Sequence, residues 1–333
     1  MRQGVVTGAS ARREDSRPSG CLHGGIPLTK IRVGTRTSQL AMVQTEIVVS
    51  LIRANHPTAE VEVVPITTLG DRLPLDKRAE VEGKGVFTED LEALLADGTV
   101  DVGVHSMKDL PMKLGAGLAI AATPVRADPR DALVSREGAT LASLKKGAIL
   151  GTSSLRRKAQ LRSLRRDLKV SDFHGNVDTR LRRMDELGID GIVLAAAGLQ
   201  RLGRADKITQ YFDIDQVVPA PCQGTIALEA RENDQVILGL LGALDNKEVR
   251  TVSSCERSFA TRLGGDCDIP VGFHASLDGS TLKLVGVVLS PDGGRAVRHA
   301  SDVPASDPPT AGEDFAEELL QLGGRKILEA AAD

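Results

Sequence analysis

The sequence predicts an α/β protein with two lobes of similar size and a small α+β domain at its C-terminal end. Strand-like apolar runs alternate with helical patterns twice, over about residues 30–125 and 130–220. From about Thr251 the pattern changes to a helix, three alternating strands and a final amphipathic helix. Several strand-to-helix turns carry hydroxyl and arginine side chains, and α/β sheets place ligands at such turns. We therefore expect a ligand cleft between the two lobes.

The composition limits the classes of partner. The 333 residues include no Trp, one Tyr and six Phe, and the formal net charge is −3. The scarcity of aromatic residues argues against base-stacking nucleic-acid surfaces and carbohydrate platforms. The small net charge provides no basic field for nucleic acid or a membrane. Positive charge is instead concentrated between Arg156 and Arg183, which favours a small polyanionic ligand.

Signals for export, membrane insertion and metal binding are missing from the pattern. Residues 1–28 are rich in Gly, Ser and Arg without sustained periodicity, so we expect a disordered leader. Glu14 and Asp15 argue against a transit peptide. No apolar run approaches the roughly 20 residues that span a bilayer. The cysteines form no C-x-x-C pair and no zinc pattern, so we expect reduced thiols, no metal and a cytoplasmic protein. They are Cys21, Cys222, Cys255 and Cys267.

The first lobe begins with a βαβ unit. Residues 30–33 form a short strand, and apolar residues at helical spacing continue from Leu40 to Leu51. The next strand is predicted at residues 61–66. Residues 34–38 therefore form a strand-to-helix turn that carries hydroxyls and an arginine.

A charged loop and a second polar turn complete this lobe. Residues 70–85 hold glycines, a proline and many charges without periodicity, which is typical of a mobile lid. Residues 100–104 form a strand, and residues 105–109 follow at its carboxyl end. Asp109 is a candidate general acid or base, or a stabiliser of positive charge. Alternatively, Asp109 accepts the orphan N–H groups of a helix start, and spacing alone favours that alternative.

The second lobe repeats the alternation. Its helices are predicted to begin near Ser153, Val177 and Ala196, and a further turn ends on Arg201. Alternating strands and helices predict parallel sheets in both lobes. The strand-like runs are 132–134, 148–150, 169–171 and 191–194.

The turn at residues 151–157 is the strongest candidate binding element. An apolar strand precedes it and a helical pattern follows, so backbone N–H groups and the positive end of a helix dipole are available to an anion. Three hydroxyls and two forked, permanently charged arginines add further donors. Alternatively, the segment is an N-capped helix with two solvated arginines. The side chains concerned are those of Thr152, Ser153, Ser154, Arg156 and Arg157.

The C-terminal domain holds a cysteine in a glycine-rich loop. A helix is predicted from Val252 to Leu263, and Cys267 follows it between two aspartates. An exposed thiol in such a loop favours covalent attachment, although the commoner fate of a free cysteine is burial as a small hydrophobe. Cys222 and Cys255 are interpreted as structural. Strands are predicted at 271–277, 281–290 and 295–301, covered by one last helix.

Eight segments resemble the porphobilinogen deaminase, or hydroxymethylbilane synthase, family over about residues 30–330. They are TRTSQLA (35–41), GKGVF (83–87), VHSMKDLP (104–111), DPRDA (128–132), GTSSLRR (151–157), GNVDTRL (175–181), LAAAGLQRLG (194–203) and GGDCDIPVG (264–272). The resemblance implies two lobes like type II periplasmic-binding proteins and a third domain that carries a thioether-linked dipyrromethane. It also implies a transferase that condenses four porphobilinogens head to tail, releases ammonia each time, and then hydrolyses the linear tetrapyrrole from the cofactor.

The resemblance further implies roles for individual side chains. Cys267 matches the cofactor attachment site, and Asp109 matches the catalytic aspartate that stabilises developing positive charge. The lid and ring-packing positions match Lys84 and Phe87. Porphobilinogen carries an acetate and a propionate, so a growing chain needs many carboxylate clamps. Cofactor-binding positions match Lys108, Asp109, Thr152, Ser153, Ser154, Arg156, Arg157, Asn176 and Arg180. Substrate-binding positions match Arg36, Ser38, His174, Arg180 and Arg201.

Some positions depart from the family pattern. His174 stands where the family usually has arginine, and a histidine is smaller and only partly charged near neutral pH. We predict that His174→Arg lowers the Michaelis constant or speeds a chain-elongation step, whereas unchanged kinetics in every step would contradict this. Glu80 and Glu82 make the lid unexpectedly acidic, and Cys222 replaces a usual glycine.

We therefore expect an active, monomeric, cytoplasmic enzyme of tetrapyrrole biosynthesis that uses no metal and no nucleotide. Porphobilinogen is the expected partner, with no nucleic acid and no membrane. One alternative is a non-catalytic carboxylate-binding protein with the bilobal fold, which leaves the cysteine loop unexplained. Another is a relative whose elongation is impaired by His174. The expected divisions are a leader at 1–28, lobe 1 at 29–125 with 222–243, lobe 2 at 126–221, and a C-terminal domain at 244–333.

Overall fold

The computed structural model describes residues 30–68, 72, 88–264 and 269–332. Within these residues, strands form two five-stranded sheets and one three-stranded sheet. The strands are β1 (Ile31–Arg36), β2 (Val61–Ile66), β3 (Val102–Ser106), β4 (Leu118–Ala122), β5 (Asp131–Ser135), β6 (Ile149–Gly151), β7 (Lys169–Ser171), β8 (Gly191–Ala195), β9 (Gln210–Tyr211), β10 (Ile226–Arg231), β11 (Val271–Asp278), β12 (Thr281–Leu289) and β13 (Ala296–Pro304).

The helices of the described residues pack on these sheets, and polar side chains begin most of the longer ones. Ser38, Ser154, Asn176 and Asn246 each accept a hydrogen bond from a backbone N–H of the first helical turn. The α-helices are α1 (Gln39–Asn55), α2 (Glu89–Ala96), α3 (Leu155–Leu164), α4 (Val177–Glu186), α5 (Ala196–Arg201), α6 (Gln235–Gly242), α7 (Lys247–Arg262), α8 (Pro308–Leu319) and α9 (Arg325–Ala332). None of the helices described is long and apolar enough to cross a membrane.

The two lobes have sheets of the same plan. The first has the order β2-β1-β3-β10-β4 and the second β7-β6-β8-β5-β9. The predicted fold class is confirmed, but the prediction of parallel sheets is wrong for one central strand in each lobe. Strand β10 is antiparallel to β3 and β4, and β5 is antiparallel to β8 and β9. Each enters its sheet directly from a segment that crosses between the lobes, residues 123–130 before β5 and 212–225 before β10. An antiparallel strand needs no crossover helix.

The two crossing segments meet, and the C-terminal domain binds them there. Arg126 and Thr225 form an isolated antiparallel bridge between the segments. The buried Glu256 of α7 accepts hydrogen bonds from the Arg126 guanidinium at 3.0 Å and from the Cys222 N–H. It also accepts one from the Ala275 N–H of β11 at 2.7 Å. One carboxylate therefore joins the crossing point to the C-terminal domain.

The C-terminal domain is an antiparallel β11-β12-β13 sheet covered by helices. Phe259 of α7 stacks on Phe273 of β11 with ring centroids 4.0 Å apart, and Phe315 of α8 completes the cluster. The prediction of a single last helix is wrong. A π-helical turn at Leu320–Gly324 separates α8 from α9, because Gly323 has a φ of 118° that a continuous helix cannot contain.

The same domain also contacts the second lobe. The turn between β12 and β13 lies against α3, where Arg162 donates to the Pro291 carbonyl at 3.1 Å. A Cβ on Gly293 would lie 2.4 Å from the Ala159 carbonyl, so only glycine permits this approach. The C-terminal domain is thus anchored both at the crossing segments and on lobe 2.

Candidate functional site

The carboxyl ends of the parallel strands in each lobe carry the polar turns that the sequence singled out. In the first lobe, β1 leads into Ser38 and the parallel β3 leads into the 3₁₀ turn Met107–Asp109. Arg36, Ser38 and Asp109 line one cavity of about 80 Å³. The Gln44 amide of α1 binds the Ser106 hydroxyl at 2.9 Å and so joins the two turns. The structure therefore brings three sequence-predicted residues together.

Lys108 and Asp109 differ in their surroundings. Asp109 is exposed, and its carboxylate makes no hydrogen bond to the residues that the structure describes. Lys108 points away from solvent, and its Nζ lies 3.4 Å from Oε1 of Gln223. Burial lowers the pKa of Lys108, while the Asp109 carboxylate opposes this shift and Arg157 reinforces it. The turn thus offers an accessible carboxylate beside a poorly solvated amine.

Arg156 and Arg157 turn inward, so the alternative of two solvated arginines is wrong. Each is 5% exposed, and both contact the fully buried Asp131 at the start of β5. Nη1 of Arg156 and Nη2 of Arg157 lie 2.7 Å from opposite oxygens of that carboxylate. Burial alone would raise the pKa of Asp131, but the two guanidiniums outweigh burial and hold it well below its usual range. The cluster keeps a net positive charge, because two cations share one anion.

Gln223 connects this cluster to the first lobe. Its Nε2 donates to Asp131 at 2.9 Å, and its Oε1 accepts from Arg157 at 3.3 Å as well as from Lys108. Sequence reasoning assigned no role to Asp131 or Gln223. Asp131 lies in DPRDA (128–132), which resembles the family, and Gln223 lies in PAPCQG (219–224), which adjoins the crossing point. These segments were the signal by which the two residues could have been found.

The three hydroxyls of the turn before α3 bind backbone N–H groups. Ser154 accepts from the Arg157 N–H, Ser153 from Phe173 at 3.2 Å, and Thr152 from Ser154 at 3.3 Å. An oxygen that accepts in this way still has its own hydrogen to donate. The hydroxyls therefore remain possible donors to an anion, and Ser154 also caps the helix as the structural alternative predicted.

Arg201 lies at the end of α5 and faces the segment that leads into β10. Its Nη2 donates to the Gly224 carbonyl at 2.7 Å, and no carboxylate among the described residues lies within ion-pair distance. Burial lowers the pKa of Arg201 to about 10, which still leaves it charged at neutral pH. A partly buried cation whose one contact is a carbonyl is well suited to an incoming carboxylate.

His174 and Arg180 lie on the loop and helix that follow β7. Nε2 of His174 is 3.9 Å from Asp172, whose carboxylate also binds Lys158. Asn176 caps α4, accepting from the Thr179 N–H at 3.1 Å, and Arg180 is half-buried one turn later. The acidic Asp172 beside His174 further reduces the positive charge at this position, which is already expected to be weaker than that of an arginine.

Several predicted residues lie outside the described part of the chain. They are Cys267, Lys84, Phe87, Glu80, Glu82 and the leader at 1–28. Cys222 and Cys255 are described and are buried, with no disulfide. Burial raises the pKa of both thiols. Within the described ranges no group of three or more His, Cys, Asp or Glu side chains could hold a metal ion.

Comparison with known proteins gives consistent matches. The family model "Porphobilinogen deaminase, dipyromethane cofactor binding domain" matches residues 31–239, and "Porphobilinogen deaminase, C-terminal domain" matches residues 250–321. The porphobilinogen deaminase of Roseiflexus castenholzii is 48% identical over 299 residues, which cover 90% of this chain and 98% of that protein. That of Syntrophotalea carbinolica is 44% identical over 300 residues, covering 90% and 95%. Among solved structures, the aliphatic sulphonate binding protein SsuA from Escherichia coli has 17% identity and a TM-score of 0.38, covering 71% of this chain and 70% of that one.

Proposed function

The chain belongs to the porphobilinogen deaminase family, and we propose that it condenses four porphobilinogens head to tail and releases hydroxymethylbilane. The observation that carries this proposal is the pairing of an accessible Asp109 with a set of cleft cations suited to carboxylates. The non-catalytic binding alternative is not favoured, because the matches cover both a cofactor-binding and a C-terminal domain. Each porphobilinogen brings two carboxylates, so the substrate chemistry fits these cations.

The family's dipyrromethane cofactor fits the residues present. Arg201 has no carboxylate partner among the described residues, and the hydroxyls of Ser153 and Ser154 keep a hydrogen to donate. When bound, the dipyrromethane supplies the free pyrrole carbon at which the chain grows. Cys267, by its match to the family loop, is the proposed attachment residue. Side chains proposed to hold cofactor carboxylates are Lys108, Thr152, Ser153, Ser154, Arg156, Arg157, Asn176 and Arg180.

Asp109 is the proposed catalytic residue. Its carboxylate lines the cavity with Arg36 and Ser38, within reach of a porphobilinogen held there. As ammonia leaves, positive charge develops on the substrate pyrrole, and a fixed carboxylate stabilises that charge. The same carboxylate can accept the pyrrole N–H. Lys108, whose pKa burial lowers, is placed to move a proton beside it.

The other cleft cations are proposed to bind and orient. Arg36 and Ser38 hold the incoming substrate, with Arg201, Arg180 and His174 on the facing lobe. Arg156 and Arg157 are fixed by Asp131 and give a preorganised positive potential, and Nε and Nη2 of Arg156, which make no hydrogen bond among the described residues, remain for a cofactor carboxylate. Lys84 and Phe87 are proposed to act from the lid. The buried free thiols of Cys222 and Cys255 suit a reducing compartment, so we place the enzyme in the cytoplasm. By its resemblance to the family we propose that it is a monomer.

Intact-mass measurement of the purified protein tests this function. We expect a mass above the sequence mass by two linked pyrroles, and a ladder of single-pyrrole increments after brief exposure to porphobilinogen. The Cys267→Ala variant controls for attachment and should lose the excess, whereas Cys255→Ala should keep it. A bare mass that stays bare with porphobilinogen or preformed tetrapyrrole would overturn the proposal.

A further inference from the structure

A buried ion pair lies directly behind the Asp109 turn. Residues Gly103 and Glu229 face each other across β3 and β10, and His105 follows on the same face of β3. Nε2 of His105 is 2.9 Å from Oε2 of Glu229, and these side chains are 6% and 0% exposed. A Cβ on Gly103 would lie 2.8 Å from that nitrogen, so the glycine makes room for the ring.

The pair has little other support. The contact lies outside hydrogen-bond geometry, and neither oxygen of Glu229 has a hydrogen-bond partner among the described residues. A buried carboxylate of this kind must be neutralised nearby. The close contact with the His105 ring is therefore the main polar support of the Glu229 carboxylate.

Two further groups face the pair from neighbouring elements. Glu92 of α2 interacts electrostatically with both members of the pair, and burial and then the charge of Glu229 raise the pKa of Glu92. Arg257 of α7 interacts electrostatically with Glu229. Glu92 also accepts the Gly115 N–H. The cluster thus involves β3, β10 and α2 at one side of the site, where His105 and Thr88, just before α2, line the cavity with Asp109.

A second ion pair joins the same two strands at the opposite end. Asp101, just before β3, lies 3.0 Å from Arg231 at the end of β10. His105, by contrast, is followed at once by Ser106 and the turn that carries Asp109. Of the two ion pairs, the His105–Glu229 pair is therefore the one near that turn, where the Gln44–Ser106 hydrogen bond also acts.

We propose that His105, held by Glu229, is a positioning residue for Asp109. The pair fixes the carboxyl end of β3, so the Asp109 carboxylate meets the developing positive charge in one orientation. This inference rests on the proposed function. It predicts a loss in the chemical step rather than in substrate binding, since Arg36 and Ser38, the side chains proposed to hold the incoming substrate, lie at the end of β1 and the start of α1.

The test compares variants at matched cofactor loading, with melting temperatures measured in parallel. In His105→Leu/Glu229→Met both members of the pair are removed together, so no buried Glu229 carboxylate is left without its partner. The melting temperature measures the cost to Arg257 and Glu92, which face the pair. We expect about tenfold lower kcat with KM within about twofold. His105→Gln keeps an N–H toward Glu229 and should recover at least about a third of wild-type kcat.

Asp101→Asn is the matched control, because it breaks the ion pair at the other end of β3. It should lower the melting temperature and leave kcat per loaded enzyme within about twofold. Wild-type kcat in the double variant, or an equal kcat loss in Asp101→Asn, would overturn the inference. A wild-type protein without bound dipyrromethane would instead refute the proposed function, so the two failures are distinguishable by mass.

Discussion

At the scale of single residues, the arginines of the second lobe differ in whether they already have an ionic partner. Arg156 and Arg157 are bound to Asp131, whereas Arg201 holds one backbone carbonyl. The first two therefore contribute to stability and to a fixed positive potential in addition to their proposed contact with the cofactor. Arg201 is the better candidate for direct carboxylate binding, because it need not release an ionic partner.

Asp131→Asn should strongly destabilise the protein, because it leaves two buried guanidiniums without their anion. We expect the free energy of unfolding at pH 7 to fall by about 3–5 kcal/mol, measured by urea denaturation. The folded pKa of Asp131 is depressed, so its stabilisation is present above about pH 4 and is lost as the pH falls through the folded pKa.

The difference between wild type and Asp131→Asn should accordingly be smaller at pH 3 than at pH 7. Asp167→Asn is the control, since Asp167 pairs with Arg165 at the surface of the same lobe. Its effect should be much smaller. Equal destabilisation by the two variants would contradict the role assigned to burial.

Arg201→Gln should weaken substrate binding with little loss of stability. A charge-assisted hydrogen bond contributes about 1.5–3 kcal/mol, so we expect KM for porphobilinogen to rise about 10- to 100-fold. Steady-state kinetics measure this, and the melting temperature should change little because the side chain holds one carbonyl. Arg204→Gln, three residues on in an exposed pair with Asp178, should leave KM unchanged. A KM at the wild-type value in Arg201→Gln would exclude the binding role.

At the scale of elements, backbone conformation accounts for the glycine that the family usually has at position 222, where this chain has cysteine. Cys222 has a φ of 61°, the left-handed region that favours glycine. Its side chain is nevertheless buried against Met107, Leu110 and Ala227. The crossing segment therefore combines a strained backbone with a favourable packing contact. The family's usual glycine would relieve the backbone strain and lose the packing contact.

Substitutions at Cys222 should show the reverse of the usual order of alanine and glycine. The left-handed conformation costs a residue with a Cβ about 1–2 kcal/mol, so Cys222→Gly should be at least as stable as Cys222→Ala. At Cys255, inside α7, alanine should be more stable than glycine by about 1 kcal/mol. Thermal unfolding of the four variants decides this. The same order at both positions would argue against strain at Cys222.

At the scale of the whole molecule, Glu256 connects the C-terminal domain to the point where both lobes meet. Its two oxygens accept from Arg126, the Cys222 N–H and the Ala275 N–H. Burial would raise its pKa, but Arg126 and then His274 outweigh burial and lower it. The domain that carries the proposed cofactor residue is therefore held at the crossing of the chain.

Glu256→Gln should loosen this connection. The amide cannot neutralise the buried Arg126, so we expect a loss of about 3–5 kcal/mol in the free energy of unfolding. Calorimetry should show the C-terminal domain melting before the lobes. Glu317→Gln, which affects surface pairs with Arg262 and Arg325, should change stability by less than about 1 kcal/mol and keep one transition. An unchanged single transition in Glu256→Gln would rule out the coupling.

The sequence by itself determined the alternation of strands and helices, the capped helix start after residues 151–154, and the family segments. These are local properties, since apolar periodicity and side-chain capping depend on residues a few positions apart. Tertiary structure alone decided that Arg156 and Arg157 bind Asp131, that β5 and β10 run antiparallel, and that His105 meets Glu229. These contacts join residues far apart in the chain, and no local pattern encodes which buried charge meets which.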